Sequence, residues 1–323
     1  MATIKDVAEY SGISIKTVSR VINGAPTVRP KVRAKVEEAI RALNYRPALA
    51  ARQLASGRSF IVAMIAPRQT YSYFSRLMVA MAEACRDYGH HLVLEVIDRS
   101  EMDSDPAWTL QLSCEPDAVI IVPPYADDPR MVEAVAALGK PMLRMAVGDD
   151  GVGQALPVPS YEISYAMGRY LLAKGHRQLA IIAPPRKTMS AYARVEGFAQ
   201  ALADAGVDLP PSCIVAGTMD FASGEAAFRQ LMSLPRRPTA IFATNDPMAL
   251  GAMACALRLG FSVPQDVAIA GFDNSVEGQM CYPPLTSVHQ PLEEIARAAV
   301  GLVLGVEQQR PEFIHHIVER ESA

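Results

Sequence analysis

The chain has 323 residues, of which half are hydrophobic and a fifth are charged, and its formal net charge at pH 7 is −3. This length exceeds one ordinary core, so a globular protein of two or three parts is expected. The sequence contains no run of 18 apolar residues and no apolar N-terminal signal, which predicts a soluble, unexported, cytoplasmic protein. The five cysteines are scattered, odd in number and without CxxC spacing, which argues against a disulfide framework or a zinc site.

Positive charge is concentrated at the N-terminal end. Residues 1–59 contain eleven Lys and Arg against four Asp and Glu, a net charge of +7. Because the whole chain carries −3, the remaining residues sum to −10. Such an asymmetry is expected when one end of a protein meets phosphates and the rest does not.

The first predicted elements are short helices joined by a tight turn. Thr3 and Asp6 have the spacing of a capping box that starts a helix, and Gly12 provides the turn that ends it. Ser14 is a suitable N-cap for a second helix, in which apolar residues recur at helical spacing. Pro30 stands at a first helical position and opens a third helix that packs under the other two.

The second helix presents one polar face. Its residues at positions i, i+3, i+4 and i+7 are Lys16, Ser19, Arg20 and Asn23. Short polar side chains can reach base edges in a major groove, and Arg and Lys can reach guanine or phosphate. A small three-helix unit with a solvated polar face is the alternative, because a helix-turn-helix pattern is weak without context. The charge of this end supplies the context and favours DNA binding.

The same residues carry a family resemblance. The segments DVAEYSGIS, TVSRVIN, KVRAKVEEAIRALNYRP and ARQLASGRS closely resemble the lactose-repressor (LacI/GalR) family of bacterial transcription regulators. The resemblance extends over essentially the full length. It implies an all-α helix-turn-helix DNA-binding head, a short hinge and a two-lobed α/β core like that of periplasmic binding proteins.

The resemblance also implies roles for individual residues of the head and hinge. Ile15, Lys16 and Arg20 match the base-reading positions of the recognition helix. Leu54 matches the leucine that the family inserts into the minor groove, where bending of the DNA sets specificity. Positions that usually hold the DNA backbone are matched by Thr3, Ser14, Thr17, Ser19, Asn23 and Tyr45.

Two residues of the head depart from the family pattern. Ile15 can touch a thymine methyl but cannot donate a hydrogen bond, which leaves the base preference at that position open. Arg29 stands where the family often has a helix-capping Ser. Pro30 can compensate for the missing cap, and Arg29 could contact a phosphate instead, so Arg29 joins the predicted DNA-binding residues.

Residues 47–59, PALAARQLASGRS, form the predicted hinge. Pro47 ends the third helix, the Ala-rich stretch has the composition of a short helix, and Ser56-Gly57 ends it. A plain linker is the alternative interpretation. The resemblance favours a hinge that becomes helical only when two copies meet on operator DNA, because an isolated helix this short is unstable.

From residue 60 apolar strands alternate with helices. The predicted strands are FIVAMIA, HLVLEVI, DAVIIV, PMLRMA, QLAIIA, SCIVA, TAIFAT and DVAIAGF. The predicted helices lie near 74–88, 104–114, 128–138, 161–174, 191–205, 222–234 and 246–259, and Trp108 is expected to pack from one of them. Continuous apolar strands separated by helices predict doubly wound parallel sheets covered on both faces, and two such lobes fit the length.

In the family the chain crosses between the lobes three times, and we place these crossings near residues 158, 288 and 312. The predicted domains are therefore a head at 1–46, a hinge at 47–59 and a core at 60–323. The first lobe comprises about 60–158 and 289–312, and the second about 159–288 and 313–323. Three strands at one hinge permit closure around a ligand.

The loops at the carboxyl ends of the strands are where such sheets bind ligands. The sequence contains no P-loop, GxGxxG, GxSxG or HExxH motif, and these loops lack a nucleophile paired with a base. We therefore expect no enzyme, no catalytic residue, no cofactor and no metal site. His90-His91 and His315-His316 are expected at the surface or at an edge rather than as metal ligands.

The same loops hold polar and aromatic residues that suit a small polyhydroxylated molecule. A guanidinium and a carboxylate can each engage two adjacent hydroxyls, and an aromatic ring covers the apolar face of a sugar. The predicted effector-binding residues are Tyr71, Tyr73, Arg194, Phe221, Asn245, Asp273 and Gln290. Singly, a structural role is the stronger alternative, such as a turn at Asp273, an N-cap at Asn245 or core packing at Phe221. The resemblance favours the effector site, because Arg194, Asn245, Asp273 and Gln290 match positions that line the family's cleft.

Two segments of the core depart from the family. Relatives commonly have an acidic residue where this chain has PVPS at 157–160, and the loop after DAVIIV contains the unusual Pro123-Pro124. The effector can therefore differ from those of better-known relatives. The predicted function is a sugar-responsive, sequence-specific repressor. The alternatives are the same regulator with a nucleobase or nucleoside effector, and an exported sugar receptor, which the absent signal and the basic head disfavour.

The size of one head predicts how many copies act together. One head covers a few base pairs, and pairing two heads about a two-fold axis doubles the site and imposes a palindrome. The sequence stops shortly after FIHHIVERE, without the Leu-heptad tail that makes some relatives tetramers. We therefore predict a homodimer on a palindromic operator, with no membrane partner.

Overall fold

Three short helices form the N-terminal unit, Met1–Phe60, of the computed structural model. The structure describes residues 2–22, 25, 27–45, 53, 56–68, 72–145, 151–185 and 189–323. The helices are α1 (Ile4–Ser11), α2 (Ile15–Ile22) and α3 (Pro30–Ala42). Their shared core consists of Val7, Val18, Val21, Val36 and Ala39. These apolar residues recur at helical spacing, so each helix buries one face against the other two.

Capping groups fix the turn between α1 and α2. The Asp6 carboxylate accepts a hydrogen bond from Thr3 N at 2.7 Å, and Asp6 N donates to Thr3 Oγ1 at 3.4 Å, so the predicted capping box is confirmed. Gly12 ends α1 with a left-handed φ of 67°, a conformation that glycine adopts without a steric penalty. Ser14 Oγ then accepts a hydrogen bond from Thr17 N at 3.3 Å and caps α2.

The second unit, Ile61–Ala323, contains two sheets. The strands of the first are β1 (Ile61–Pro67), β2 (His91–Ile97), β3 (Ala118–Ile121), β4 (Met142–Arg144) and β5 (Gln154–Ala155). They are parallel throughout, in the order β2-β1-β3-β4-β5. Connecting helices are α4 (Ser72–Asp87), α5 (Arg99–Ser104) and α6 (Pro129–Ala136).

The second sheet has the order β11-β10-β9-β8-β6-β7. Its strands are β6 (Leu179–Ala183), β7 (Ile214–Ala216), β8 (Ala240–Ala243), β9 (Ala268–Phe272), β10 (Thr286–His289) and β11 (His316–Val318). Only the β10–β11 pair is antiparallel among the described strands. The helices are α7 (Ser160–Ala173), α8 (Met189–Asp204), α9 (Phe221–Met232), α10 (Asp246–Arg258) and α11 (Val276–Met280), with a 3₁₀ turn at Pro211–Cys213.

The last helix, α12 (Leu292–Val303), returns to the first sheet and packs against α4. The chain therefore passes between the sheets in segments 156–159, 290–291 and 304–315. The predicted fold class is confirmed: a helix-turn-helix head and a two-lobed α/β core with doubly wound, mainly parallel sheets. None of the helices in the described ranges has the length and apolar character that a bilayer-spanning helix needs.

The helix predicted near 104–114 is wrong. Asp98 caps α5 by accepting a hydrogen bond from the backbone of Ser100 at 2.9 Å, so the helix starts five residues earlier and ends at Ser104. Pro106 cannot donate a backbone hydrogen bond, which prevents α5 from continuing. Trp108 consequently packs against the first-lobe core from outside any helix.

The prediction that both histidine pairs lie at the surface or an edge is wrong for His90. Its side chain is 8% exposed, its Nδ1 lies 2.9 Å from Tyr88 O, and its Nε2 lies 3.5 Å from a carboxylate oxygen of Asp117. His91 and His316 are exposed and lie in β2 and β11, which are edge strands of their sheets.

Glycine allows α9 and α10 to approach closely. A Cβ at Gly251 would lie 2.0 Å from the backbone oxygen of Phe221, and one at Gly224 would lie 2.1 Å from that of Met248. A side chain at either position would force the two helices apart. The contact holds the start of α10, with Asn245, at the carboxyl end of β8.

Candidate functional site

The exposed side of α2 carries the residues predicted to read bases. Ile15, Lys16 and Arg20 are exposed, whereas Val18 and Val21 are buried in the head. α2 therefore has the amphipathic division predicted from its sequence. The exposed residues have the length and chemistry to reach base edges, and their role in DNA binding stays a prediction.

Four residues predicted to contact the DNA backbone lie in or next to the first turns of α1 and α2. Thr3 and Ser14 precede the two helices as caps, and Ser14 Oγ lies 3.0 Å from Thr17 Oγ1. Ser19 is half-buried on α2. Hydroxyls beside the amides of a helix N-terminus suit a phosphate oxygen, which is the role predicted for these residues.

The other predicted DNA-binding residues are less uniformly placed. Arg29 precedes α3, is exposed and makes no side-chain capping bond, while Pro30 occupies the first turn. Tyr45 packs against the core of the head, and burial raises the pKa of its phenol. Asn23 and Leu54 lie outside the described residues, as does most of the predicted hinge.

A cavity of about 290 Å³ lies between the two sheets, at the carboxyl ends of their strands. It brings together five of the seven predicted effector-binding residues: Tyr73, Arg194, Asn245, Asp273 and Gln290. Val158, Ser160 and the Pro123-Pro124 pair, which depart from the family pattern, also line it. Val158, Pro123 and Pro124 therefore give the cavity an apolar wall at the lobe crossing.

Arg194, on α8, is a half-buried cation that lines this cavity. Its Cζ lies 3.6 Å from the centroid of the Phe272 ring, and its Nη1 donates a hydrogen bond to Thr244 O at 2.5 Å. Its Nε is buried and has no hydrogen-bond partner among the described residues. Burial lowers the pKa of Arg194, and the nearby Asp273 opposes that effect. The Nε–H is a donor that a ligand could use.

Asp273 and Gln290 lie beside Arg194. The Asp273 carboxylate, which directly follows β9, accepts a hydrogen bond from Gln290 Nε2 at 2.8 Å. Burial raises the pKa of Asp273 to about 8, against the attraction of the Arg194 guanidinium. Burial, followed by the Asp273 charge, also raises the pKa of Tyr73, whose phenol therefore keeps its proton at neutral pH. The site combines a guanidinium, a carboxyl group that protonates readily, an amide and a phenol.

The backbone that carries Asp273 is strained. Asp273 has φ 118° and Asn274 has φ 48°, both in a region that residues with a side chain rarely adopt. The Asp246 carboxylate holds this loop, because it accepts hydrogen bonds from Ser275 N and Ser287 Oγ, each at 2.6 Å. Burial raises the pKa of Asp246 to about 6. Sequence reasoning missed Asp246, although its place directly after Asn245 at a strand end could have indicated it.

Asn245 is both an N-cap and part of the cavity wall. Its Oδ1 accepts a hydrogen bond from Met248 N at 3.0 Å, and its Nδ2 donates to Met219 O at 2.8 Å. The prediction for Phe221 needs correction, because the structure does not place it in the cavity lining. Asp220 caps α9, so Phe221 becomes the first helical residue and is 43% exposed, and Met219 lines the cavity instead.

Several lining residues were not predicted. They are Phe74, Arg99, Asp103, Tyr125, Met145, Thr218 and Met219. Tyr125, Met145, Thr218 and Met219 follow β3, β4 and β7, and Arg99 and Asp103 lie on α5 just after β2. A search of every strand end, rather than of family motifs, could have found these six. Arg99 is tied to Asp128 at 2.7 Å and to Asp103 at 3.0 Å. Tyr71 lies outside the described residues.

A basic helix-turn-helix unit on the same chain as a two-lobed ligand-binding fold defines an effector-responsive transcription regulator. Residues 3–48 match the model of bacterial regulatory proteins of the lacI family, and residues 169–322 match that of the periplasmic binding protein-like domain. The HTH-type transcriptional repressor PurR of Escherichia coli O139:H28 is 31% identical over 330 residues, which cover all of this chain and 97% of PurR. The chain belongs to the LacI family and is a DNA-binding transcriptional repressor.

Solved structures of two transcription regulators are similar to this chain over nearly its whole length. The lac repressor dimer bound to operator and the anti-inducer ONPF has a TM-score of 0.76 and 27% identity, covering 99% of this chain and 98% of that one. The complex of the transcriptional regulator CelR with cellobiose has a TM-score of 0.70 and 27% identity, and the match covers both chains completely.

Proposed function

We propose that this repressor is controlled by a small sugar-like effector that binds in the interlobe cavity. The observation that carries the proposal is the set of buried Asp273 and Gln290 and half-buried Arg194 beside two aromatic rings. Tyr73 and Phe74 lie edge to face, with ring centroids 5.1 Å apart. Adjacent hydroxyls of a sugar would engage the carboxylate and the unused Arg194 Nε–H, while its apolar face would cover a ring.

The size of the cavity limits the effector. Ligand sites span roughly 300–1,000 Å³, and this one lies at the lower limit. A molecule of one or two rings therefore fits better than a longer chain.

The effector would control DNA binding by changing how the two lobes of the core are arranged. The core would have an open and a closed state. An effector shifts the balance between them only to the extent that it binds one state more tightly than the other. In the proposed dimer, the first lobes of two copies hold paired hinges at 47–59. Their arrangement sets the spacing of the heads at 1–46, so that Ile15, Lys16 and Arg20 meet a palindromic operator while Leu54 enters the minor groove.

A nucleobase or nucleoside is the second candidate effector. The Tyr73–Phe74 pair favours it, because a planar base stacks on an aromatic face and its ring N–H groups can donate to a carboxylate such as Asp273. A sugar makes more use of Arg194 and Gln290, because both are placed to meet several hydroxyls at once.

A thermal-shift screen separates the two classes of effector. The protein would be melted with glucose, galactose and cellobiose, and with adenine, guanine and hypoxanthine. A ligand at a hundred times its dissociation constant adds about 2.7 kcal/mol to the free energy of unfolding. A shift with a sugar, accompanied by a change in operator affinity, supports the proposal. A shift with purines alone would replace it by the second candidate.

Effector affinity should depend on pH through Asp273. In the empty site burial raises the pKa of Asp273 to about 8, so at neutral pH a hydroxyl that donates to its carboxylate must displace a proton. Affinity is therefore expected to rise by up to about tenfold per pH unit between pH 6 and 8, and to level off above the pKa. Calorimetric titration at several pH values measures this slope.

The Asp273→Asn variant is the control for the pH profile. This variant retains Asp246, a second carboxyl group whose pKa burial raises to about 6. If the dependence of effector affinity on pH disappears in the variant, that dependence comes from Asp273. Affinity that falls as the pH rises would mean that the protonated carboxyl group donates to the ligand, contrary to the proposal.

We also propose a homodimer. Val79 on α4 and Leu94 and Val96 on the edge strand β2 are exposed, as are Met280 and Tyr282 in the second lobe. Large apolar side chains left in water are typical of association surfaces. Light scattering should give twice the chain mass of 34.9 kDa. Val79→Glu should shift the protein toward monomer, whereas a stable tetramer at low concentration would contradict the prediction.

A further inference from the structure

One hydrogen-bonded contact joins the first lobe to the loop that carries Asp273. Arg76 lies on α4, and its Nη1 donates to the carbonyl oxygen of Asn274 at 3.2 Å and to that of Asp273 at 3.4 Å. α4 belongs to the first lobe and the loop follows β9 of the second, so these bonds cross the cleft. Arg76 does not line the cavity of the proposed effector.

The loop is held mainly by polar contacts. Asp273 and Ser275 also line a second, smaller cavity of about 160 Å³, so open space lies on two sides of the loop. Its strained backbone needs surrounding interactions to persist. From the second lobe these include Asp246, Arg320, whose Nη2 donates to Asn274 Oδ1 at 2.5 Å, and Ser287, whose Oγ accepts from Asn274 N at 3.0 Å. Gln279 Nε2 also donates to the Asn274 carbonyl oxygen at 3.4 Å. Arg76 is the first-lobe side chain that hydrogen-bonds to the loop within the described ranges.

The same helix reaches both the effector site and the loop. Tyr73 and Arg76 are three residues apart on α4 and therefore lie on one side of it. Tyr73 lines the cavity close enough to feel the charge of Asp273, while Arg76 holds the carbonyl of that residue. Any rotation that opens the lobes separates both pairs together.

We infer that Arg76 is an interlobe latch, a positioning residue that favours the closed core by binding the carbonyls of Asp273 and Asn274 without touching the effector. The inference rests on the proposed function in so far as closure traps an effector. Two charge-assisted bonds, both rather long, correspond to a change of about 5- to 20-fold in the ratio of closed to open core. Because apparent affinity scales with the closed fraction, every ligand of the cavity is weakened by one common factor when the latch is lost.

The test compares Arg76→Met with Arg86→Met. Arg86 lies on the same helix, its side chain is 74% exposed, and it lies 3.9 Å from Glu83 as a surface pair. The interlobe distance is measured in the full-length, ligand-free protein by pulsed EPR, with spin labels at Glu133 in the first lobe and Glu196 in the second, diluted with unlabelled chain. Arg76→Met should shift the distance distribution toward the longer population, and Arg86→Met should leave it as in the wild type.

Ligand titration supplies the second readout. Two chemically different ligands that bind the wild type in the screen, such as glucose and cellobiose, should lose affinity by the same factor in Arg76→Met. An unchanged distance distribution would overturn the latch, and so would unequal factors for the two ligands, because a change confined to the closed fraction weakens every ligand equally. If the wild type binds none of the sugars or purines, the effector proposal fails, while the ligand-free distances still decide the latch.

Discussion

Replacement of Asp273 by Asn is expected to lower effector affinity by roughly 100-fold and to abolish the effector response of operator binding. A hydrogen bond to a charged group contributes about 1.5–3 kcal/mol, so loss of the bond from a sugar hydroxyl to this carboxylate corresponds to about 10- to 150-fold in affinity. Asn keeps the size of the side chain and can still accept the Gln290 Nε2–H bond, so the loss reports the acceptor charge rather than the shape of the cavity. Calorimetry gives the affinity, and fluorescence anisotropy with labelled operator gives the response.

Asp266→Asn is the matched control for this variant. Asp266 lies before the opposite end of β9, is exposed and is absent from the cavity wall. Its replacement should leave the effector response intact. Both variants should bind operator as the wild type does when no effector is present. Unchanged effector affinity in Asp273→Asn would remove this residue from the proposed site.

The fold could largely be predicted from the sequence because its strands are continuous apolar runs. The strands within DAVIIV and QLAIIA are buried at every position, as their apolar residues predict. HLVLEVI is instead a mostly exposed or half-buried edge strand that pairs with β1 along its whole length. The helix near 104–114 could not be placed in this way. Its position depends on the cap at Asp98 and the stop at Pro106, which outweigh the apolar content of the segment.

The candidate site was only partly predictable. Arg194, Asp273 and Gln290 could be named because they occupy motifs that resemble those of the family, and Asp273 and Gln290 also directly follow β9 and β10. Phe221 was predicted to line the cavity because it is close to it in sequence. Asp220 caps α9, so Phe221 begins the helix, and Met219 lines the cavity wall instead. Arg76 could not be found from the sequence, because its partners are backbone carbonyls nearly two hundred residues away, and backbone groups leave no signature in the side-chain pattern.

The head allows a prediction of similar size. Arg20→Ala should weaken operator binding by about 1–3 kcal/mol per subunit and relax the preference at one base pair in each half-site, if Arg20 reads a guanine edge. A proposed dimer places two copies on one operator, so the losses add across two separated half-sites. Arg20 is exposed on α2, away from the buried Val18 and Val21, so its removal should not affect the folding of the head. Anisotropy titration against operators with single base substitutions measures both effects.

The salt dependence of binding distinguishes a base contact from a phosphate contact at Arg20. A phosphate contact adds about one unit to the slope of log affinity against log salt and carries no base preference. Arg20→Ala should therefore keep the wild-type slope and lose discrimination at one position. Arg41→Ala, in the last turn of α3, is the control with the same change of charge and no predicted contact with bases. Equal weakening on every sequence with a reduced slope would reassign Arg20 to the backbone, and base reading would then depend on Ile15 and Lys16.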